Sequence, residues 1–369
     1  MVPESRDPQP HDPLAVILDT LGEPTRARLS DGIARLGHRE TVVELLEELK
    51  TTSAKIFQEA ISALPDLDRR VGLEPLVSWL DLAIALALSS GATAIRYLRE
   101  SPLLLGLLPT ESRLPVLRAA QEMAEQDANV ALEMVRNAPE LLRVAPAADL
   151  GAWGGLGEEL ARVDYVVAVE FLRQSSAVVG LLPWESLRAW VRFGMGLLTQ
   201  NSLGKPDYLA TLEFFRRSPA ILGDIEGAPL RAATIDLGAL LAARSPQQAV
   251  AWMAEAPRLL RAIPDETWRR RVVQYGGLVA ERDAEAALAY FRRAPEVLNL
   301  LGEGADLQAK FDDWFKGAME VLAYSVEGAR AYFAMETRKA LASLEQALNG
   351  VALRQVARHL KLFAQALCG

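Results

Sequence analysis

The sequence predicts an all-α protein, an α-solenoid of about seven helix-pair repeats, hand unassigned, closed by helical caps. Three observations predict it. One phrase recurs along the 369 residues: an alanine, a bulky pair three and four residues on, then an arginine, a small residue and a proline. Its copies are spaced by 37 to 43 residues, and a fixed period of that size marks a stacked repeat. Such a period holds two helices of about a dozen residues each plus two short turns.

The clearest copies are Ala94-Ile-Arg-Tyr97-Leu98-Arg99-Glu-Ser101-Pro102, Thr211-Leu-Glu-Phe214-Phe215-Arg216-Arg217-Ser218-Pro219 and Ala287-Leu-Ala-Tyr290-Phe291-Arg292-Arg293-Ala294-Pro295. The proline, or the residue in its place, serves as a mark: Pro102, Pro139, Ser176, Pro219, Pro257, Pro295 and Thr337. Five residues before the marks stand Tyr97, Met134, Phe171, Phe214, Trp252, Tyr290 and Tyr332, and four before stand Leu98, Val135, Leu172, Phe215, Met253, Phe291 and Phe333. Eight before stand Ala94, Ala131, Ala168, Thr211, Ala249, Ala287 and Ala329.

Physically, this spacing sets a small residue and a bulky knob on one face of the second helix, ready to pack against the next unit. The proline is expected to end that helix, because it lacks an amide hydrogen and disfavours helical geometry in the residue before it. The apolar runs behind it, at 103–108, 178–182 and 297–301, then read as short buried turns. First helices carry small residues near a tryptophan, as in Trp79 with Ala83, Trp190 with Gly194 and Trp268 with Gly276, which suggests close backbone approach. The two longer units take their extra residues around 200–206 and 302–306, positions that read as loops.

Outside the repeats, residues 1–13 read as a disordered leader, with four prolines, several charges and no apolar stretch. Residues 14–73 form an N-terminal helical cap, in which 53–64 is a helix stopped by Pro65. Helix-pair repeats fill 74–348, and 349–369 make a C-terminal capping helix behind the Asn349-Gly350 stop.

Composition narrows the function. A net charge of −8 argues against non-specific nucleic-acid binding. The most apolar window, 76–91, contains Asp81 and falls short of the roughly 20 residues of a membrane span, so no insertion is expected. A lone Cys368 suits a reducing, cytoplasmic setting. His11, His38 and His359 are scattered without ligand spacing, and no metal, cofactor or catalytic site is expected. Gly151-Ala-Trp153-Gly154-Gly155-Leu156-Gly157 is rich enough in glycine to suggest a phosphate loop, but it occupies a first-helix position, where small residues serve packing.

The candidate binding residues are the recurring arginines Arg99, Arg136, Arg173, Arg216 and Arg292, with Arg217 and Arg293 beside two of them. Stacked in register they would line one edge and clamp an acidic protein partner. Each would equally complement the negative end of its own helix, worth about 0.3 to 1 kcal/mol. An alternative reading gives Trp153, Trp184, Trp190, Trp252 and Trp268 to an aromatic-lined pocket of a ligand-binding or catalytic protein.

The phrases at 79–87, 89–102 and 213–219, with the ending 356–369, resemble the helical region of CbbO/NorD-type von Willebrand factor A-domain adaptors. The resemblance covers roughly residues 70 to 369. It implies a non-catalytic, bacterial protein-interaction scaffold that works with a MoxR-type AAA+ ATPase on a Rubisco or metalloenzyme client. The Asp-x-Ser-x-Ser motif of that family's A domain is absent from these residues, so no functional residue of the family maps onto them.

Overall fold

A computed structural model describes residues 13–145, 149–198, 208–302 and 304–334. Eighteen α-helices and no strand occur among them, as the repeat predicts. By internal contacts the chain divides into two compact units, Met1–Ser176 and Ala177–Gly369.

In the first unit, α1 (Pro13–Ile17) and α2 (Glu23–Arg35) lead into four helix pairs: α3 (Arg39–Thr52) with α4 (Ala54–Arg70), α5 (Leu76–Ser89) with α6 (Gly91–Gly106), α7 (Thr110–Ala124) with α8 (Ala128–Val144), and α9 (Leu150–Val163) with α10 (Tyr165–Val179). The last residues of α10, 177–179, fall in the second unit. First helices stack in the order α3, α5, α7, α9, and second helices in the order α4, α6, α8.

The second unit pairs α11 (Leu187–Leu197) with α12 (Tyr208–Gly223), α13 (Ala228–Ala242) with α14 (Pro246–Arg261), α15 (Glu266–Ala280) with α16 (Ala284–Leu301), and α17 (Leu307–Tyr324) with α18 (Val326–Phe333). Here α11, α13 and α15 stack in one row and α12, α14, α16 and α18 in the other.

The second helices whose starts are described begin the same way. Twelve residues before the mark, Ser90, Asp127, Asp164, Ser245, Asp283 or Ser325 accepts a backbone amide two or three residues on, as Asp283 does from Ala286 at 2.7 Å. A cap of this kind stabilises its helix by about 1 kcal/mol.

The prolines correct one expectation. Pro102, Pro139, Pro219, Pro257 and Pro295 lie inside α6, α8, α12, α14 and α16, and each helix continues for several residues beyond. The runs read as buried turns are therefore mostly last turns of helix. An interior proline costs about 3 kcal/mol, but the residues after it, Leu105, Leu141, Leu222, Leu260 and Leu298, are buried in the core. Burying one leucine contributes about 1.5 to 3 kcal/mol, so a second-helix end that packs offsets the break. In α12 the repair is also local, because Ser218 donates to the Phe215 carbonyl at 3.2 Å, the acceptor that Pro219 leaves without its amide.

Pro65 is likewise inside its helix, and Ser53 caps α4 twelve residues before it. The pair α3 and α4 thus carries the repeat, 37 residues ahead of Pro102, and the boundary expected at 74 moves back to α3. The leader 1–12, the loop 199–207, Thr337 and the C-terminal helix 349–369 lie outside the described residues.

Trp79, Trp153, Trp190, Trp252 and Trp314 are fully buried. The small residues of the first helices do not all bring backbones together; most receive a knob from a neighbour. A β-carbon on Gly276 would meet the Phe291 ring at 1.8 Å, one on Gly194 the Phe215 ring at 2.4 Å, and one on Gly157 the methyl end of Met123 at 2.6 Å. Gly196 alone meets backbone closely, with the Ala242 carbonyl carbon at 3.0 Å.

Candidate functional site: an arginine ladder and a groove at its missing rung

At four of the marks the arginine three residues before reaches back to a carboxylate of the preceding helix pair. Arg99 donates through Nε to Glu59 at 2.9 Å and makes a second, shorter contact through Nη2. Arg136 grips Glu100 with two hydrogen bonds of 2.7 Å, Arg173 grips Glu133 at 2.8 and 3.2 Å, and Arg292 grips Glu255 at 2.6 and 2.9 Å. Glu133 also accepts from Arg136 at 3.0 Å. The acids stand either six or two residues before the mark of their own pair, one helical turn apart, so a guanidinium from the next pair reaches either position.

These forks shift the titration of both partners. The hydrogen bonds of Arg99 and Arg292 hold Glu59 and Glu255 below the ordinary glutamate range. Burial opposes ionisation of Glu133, but Arg173 and Arg136 together outweigh it and hold its carboxyl low as well. Hydrogen bonding to Glu100 raises Arg136 further into its charged form.

Of the seven candidate arginines, then, Arg99, Arg136, Arg173 and Arg292 clamp one helix pair to the one before it. Arg217 pairs within its own helix with Glu213 at 2.8 Å. Arg293 pairs with Glu296 and donates to the Ala334 carbonyl at 3.1 Å. Arg216 is exposed on α12.

A second arginine series was not read from the sequence. Arg113, Arg231 and Arg269 stand 26 residues before their marks, near the start of a first helix. Arg113 donates to the Val71 carbonyl at 2.7 Å, Arg231 to Ile225 at 2.7 Å and Leu181 at 3.2 Å, and Arg269 to Ile263 at 3.1 Å. They close carbonyls that helix ends leave without an amide. The signal was present in the spacing.

In the second unit the ladder lacks a rung. Where Arg99, Arg136, Arg173, Arg216 and Arg292 stand in other pairs, α14 carries Ala254, and α18 likewise carries Ala334 after its last helical residue. A groove of about 450 Å³ opens there between α12 and α14. One face of α12 lines it with Ala210, Glu213, Phe214, Arg217, Ile221 and Asp224. One face of α14 answers with Val250, Met253, Ala254, Pro257, Arg258 and Arg261, and Phe193 and Leu197 of α11 form the floor. Glu213 and Arg217 line the α12 wall of the groove, and one end of the groove carries Asp224, Arg258 and Arg261.

None of Trp153, Trp184, Trp190, Trp252 and Trp268 lines this groove. Trp153 and Trp190 instead donate to Ser175 at 3.0 Å and Ser218 at 2.8 Å, and Trp252 donates to the Thr234 carbonyl at 3.1 Å, all inside the core. The glycine string lies within α9, where Gly154 faces Ala119 and Gly157 faces Met123. Among the described residues no group of three or more histidines, cysteines or acids is placed to hold a metal ion, and no helix is long and apolar enough to cross a membrane.

Stacked helix pairs, recurring caps and a ladder of inter-pair forks define a helical-repeat protein. No protein-family model, curated protein or solved structure matches this chain.

Proposed function

We propose that this protein is a non-catalytic scaffold that docks another protein on its second helices, in the manner of a cytoplasmic adaptor. One observation carries the reading: the groove at Ala254, an elongated apolar trough with a charged end, opens in a repeat whose other arginine rungs hold neighbouring pairs together. Stacked repeats use such surfaces for macromolecular partners, because each unit offers a similar strip of side chains to a long ligand. The resemblance of the phrases at 79–102 and 213–219 to the CbbO/NorD-type helical region favours a MoxR-type AAA+ ATPase, or its Rubisco or metalloenzyme client, as that partner.

The direct test mixes the purified chain with a purified MoxR-type ATPase from the same genome. Co-elution at a fixed stoichiometry, with a change in ATP turnover, is the expected outcome. Separate elution and unchanged turnover at micromolar concentrations of both proteins would sink the ATPase assignment.

A further inference from the structure

From the groove between α12 and α14 we infer a docking site for an acidic amphipathic helix of a partner protein, its apolar residues against Ile221, Val250 and Ala254 and its carboxylates against Arg258 and Arg261. The inference rests on the scaffold reading above and names the chemistry of the segment that reading requires.

Shape comes first. From Ala210 to Asp224 the groove follows α12 for about 20 Å at roughly 1.5 Å per residue, the length of about four helical turns. Its lining residues recur at three- and four-residue spacing on both walls. A helix laid between the two walls presents its own residues at the same spacing, which is how an amphipathic helix fills an apolar trough.

The opening has a sequence cause. At the place of Ala254, Arg99, Arg136, Arg173 and Arg292 each cross to an acid of the preceding pair, as Arg292 does to Glu255. The acid available to Ala254 is Glu213, and with no arginine opposite it Glu213 takes Arg217 of its own helix. A methyl group thus stands where a guanidinium would bridge the two helices, and Ala254 and Val250 are exposed beside it.

Charge selects the occupant. Glu213 and Arg217 neutralise each other, which leaves Arg258 and Arg261 against Asp224 at one end. Arg258 has only a 3.8 Å contact with Glu255, whose oxygens are already taken by Arg292. Arg261 makes no ion pair or hydrogen bond with the described residues. Two exposed guanidiniums one turn apart can fork a carboxylate, and an ammonium at the same place would be repelled.

The test uses synthetic labelled helical peptides of about 14 residues, long enough to span the groove. All share one leucine stripe; one ends in two glutamates, one in two lysines and one in two glutamines. Fluorescence anisotropy with the full chain should show the glutamate peptide binding at least about tenfold tighter than the lysine peptide. Arg258→Glu with Arg261→Glu should reverse that order. Ala254→Arg should abolish binding of all three while keeping or raising the melting temperature, since it restores the fork to Glu213; a loss of binding then cannot come from unfolding. Equal affinities, a preference for lysine, or undiminished binding to Ala254→Arg would each overturn the inference. An ATPase that still co-elutes with Ala254→Arg removes the groove and leaves the scaffold; glutamate-peptide binding without ATPase binding removes that partner and leaves the groove.

Discussion

Trp153 donates its indole N–H to Ser175 at 3.0 Å, and Ser175 in turn donates to the Phe171 carbonyl at 2.6 Å, all three groups being buried. The same relay links Trp79 to Ser101 at 2.7 Å and Trp190 to Ser218 at 2.8 Å. Where the second helix has alanine before the proline, at Ala138, Ala256 and Ala294, the first helix carries Val116, Thr234 and Val272 in place of tryptophan. In these six helix pairs indole and hydroxyl come and go together, because a buried N–H without an acceptor is costly.

Ser175→Ala should accordingly destabilise the first unit by about 1 to 3 kcal/mol, the penalty for stranding a buried donor. Urea denaturation followed by tryptophan fluorescence reads it. No indole stands opposite the Ala-bearing positions, so Ala138→Ser should cost well under the Ser175→Ala value; equal costs would refute the relay.

Gly276→Ala should be among the most damaging single-methyl additions, since its β-carbon would meet the Phe291 ring at 1.8 Å. Overpacking of this kind costs about 1 to 3 kcal/mol. Adding Phe291→Leu should recover most of the loss in a thermal melt, because it recreates the alanine and leucine combination that Ala83 and Leu98 carry in α5 and α6.

Tyr97 and Tyr290 occupy the same repeat position yet should respond oppositely to loss of the hydroxyl. Tyr97 donates to the Trp79 carbonyl at 3.3 Å, whereas the buried Tyr290 hydroxyl has no hydrogen-bond partner among the described residues. Tyr97→Phe should cost about 0.5 to 1.5 kcal/mol, while Tyr290→Phe should be neutral or stabilising. Paired melting curves decide it.

Stability should fall on acidification through the ladder. Glu59, Glu133 and Glu255 all have folded-state carboxyls held below their ordinary value of 4.5. Groups so depressed contribute stability that is complete above the unfolded value and is lost as pH falls through the folded one. The melting temperature should therefore hold steady near neutrality and drop below about pH 4.5. Glu133→Gln should lower the plateau by about 1 to 2 kcal/mol, limited because Arg136 and Arg173 are partly exposed, and should flatten the acid slope.

Much of this was written in the chain. The period, the bulky pair and the small residues of the first helices determined an all-α repeat, because 3.6-residue geometry turns a fixed spacing into a fixed face. The capping Ser or Asp and the arginine 26 residues before the mark were equally legible once aligned. The substitution of Ala254 for the ladder arginine was also visible, but as a blank in a row, with nothing to say what the row did.

Tertiary structure decided the rest. A proline read alone ends a helix; only the burial of Leu105, Leu141 and Leu260 beyond it explains why α6, α8 and α14 continue. The arginines read alone look like a free edge. Their partners, Glu59, Glu100, Glu133 and Glu255, lie 36 to 40 residues away, and no local pattern reports a pairing made across two stacked helices. The groove is the sharpest case: one alanine in sequence becomes an opening only because α12 and α14 are held side by side, and that distance is set by the packing of Phe193, Phe214 and Met253 beneath it.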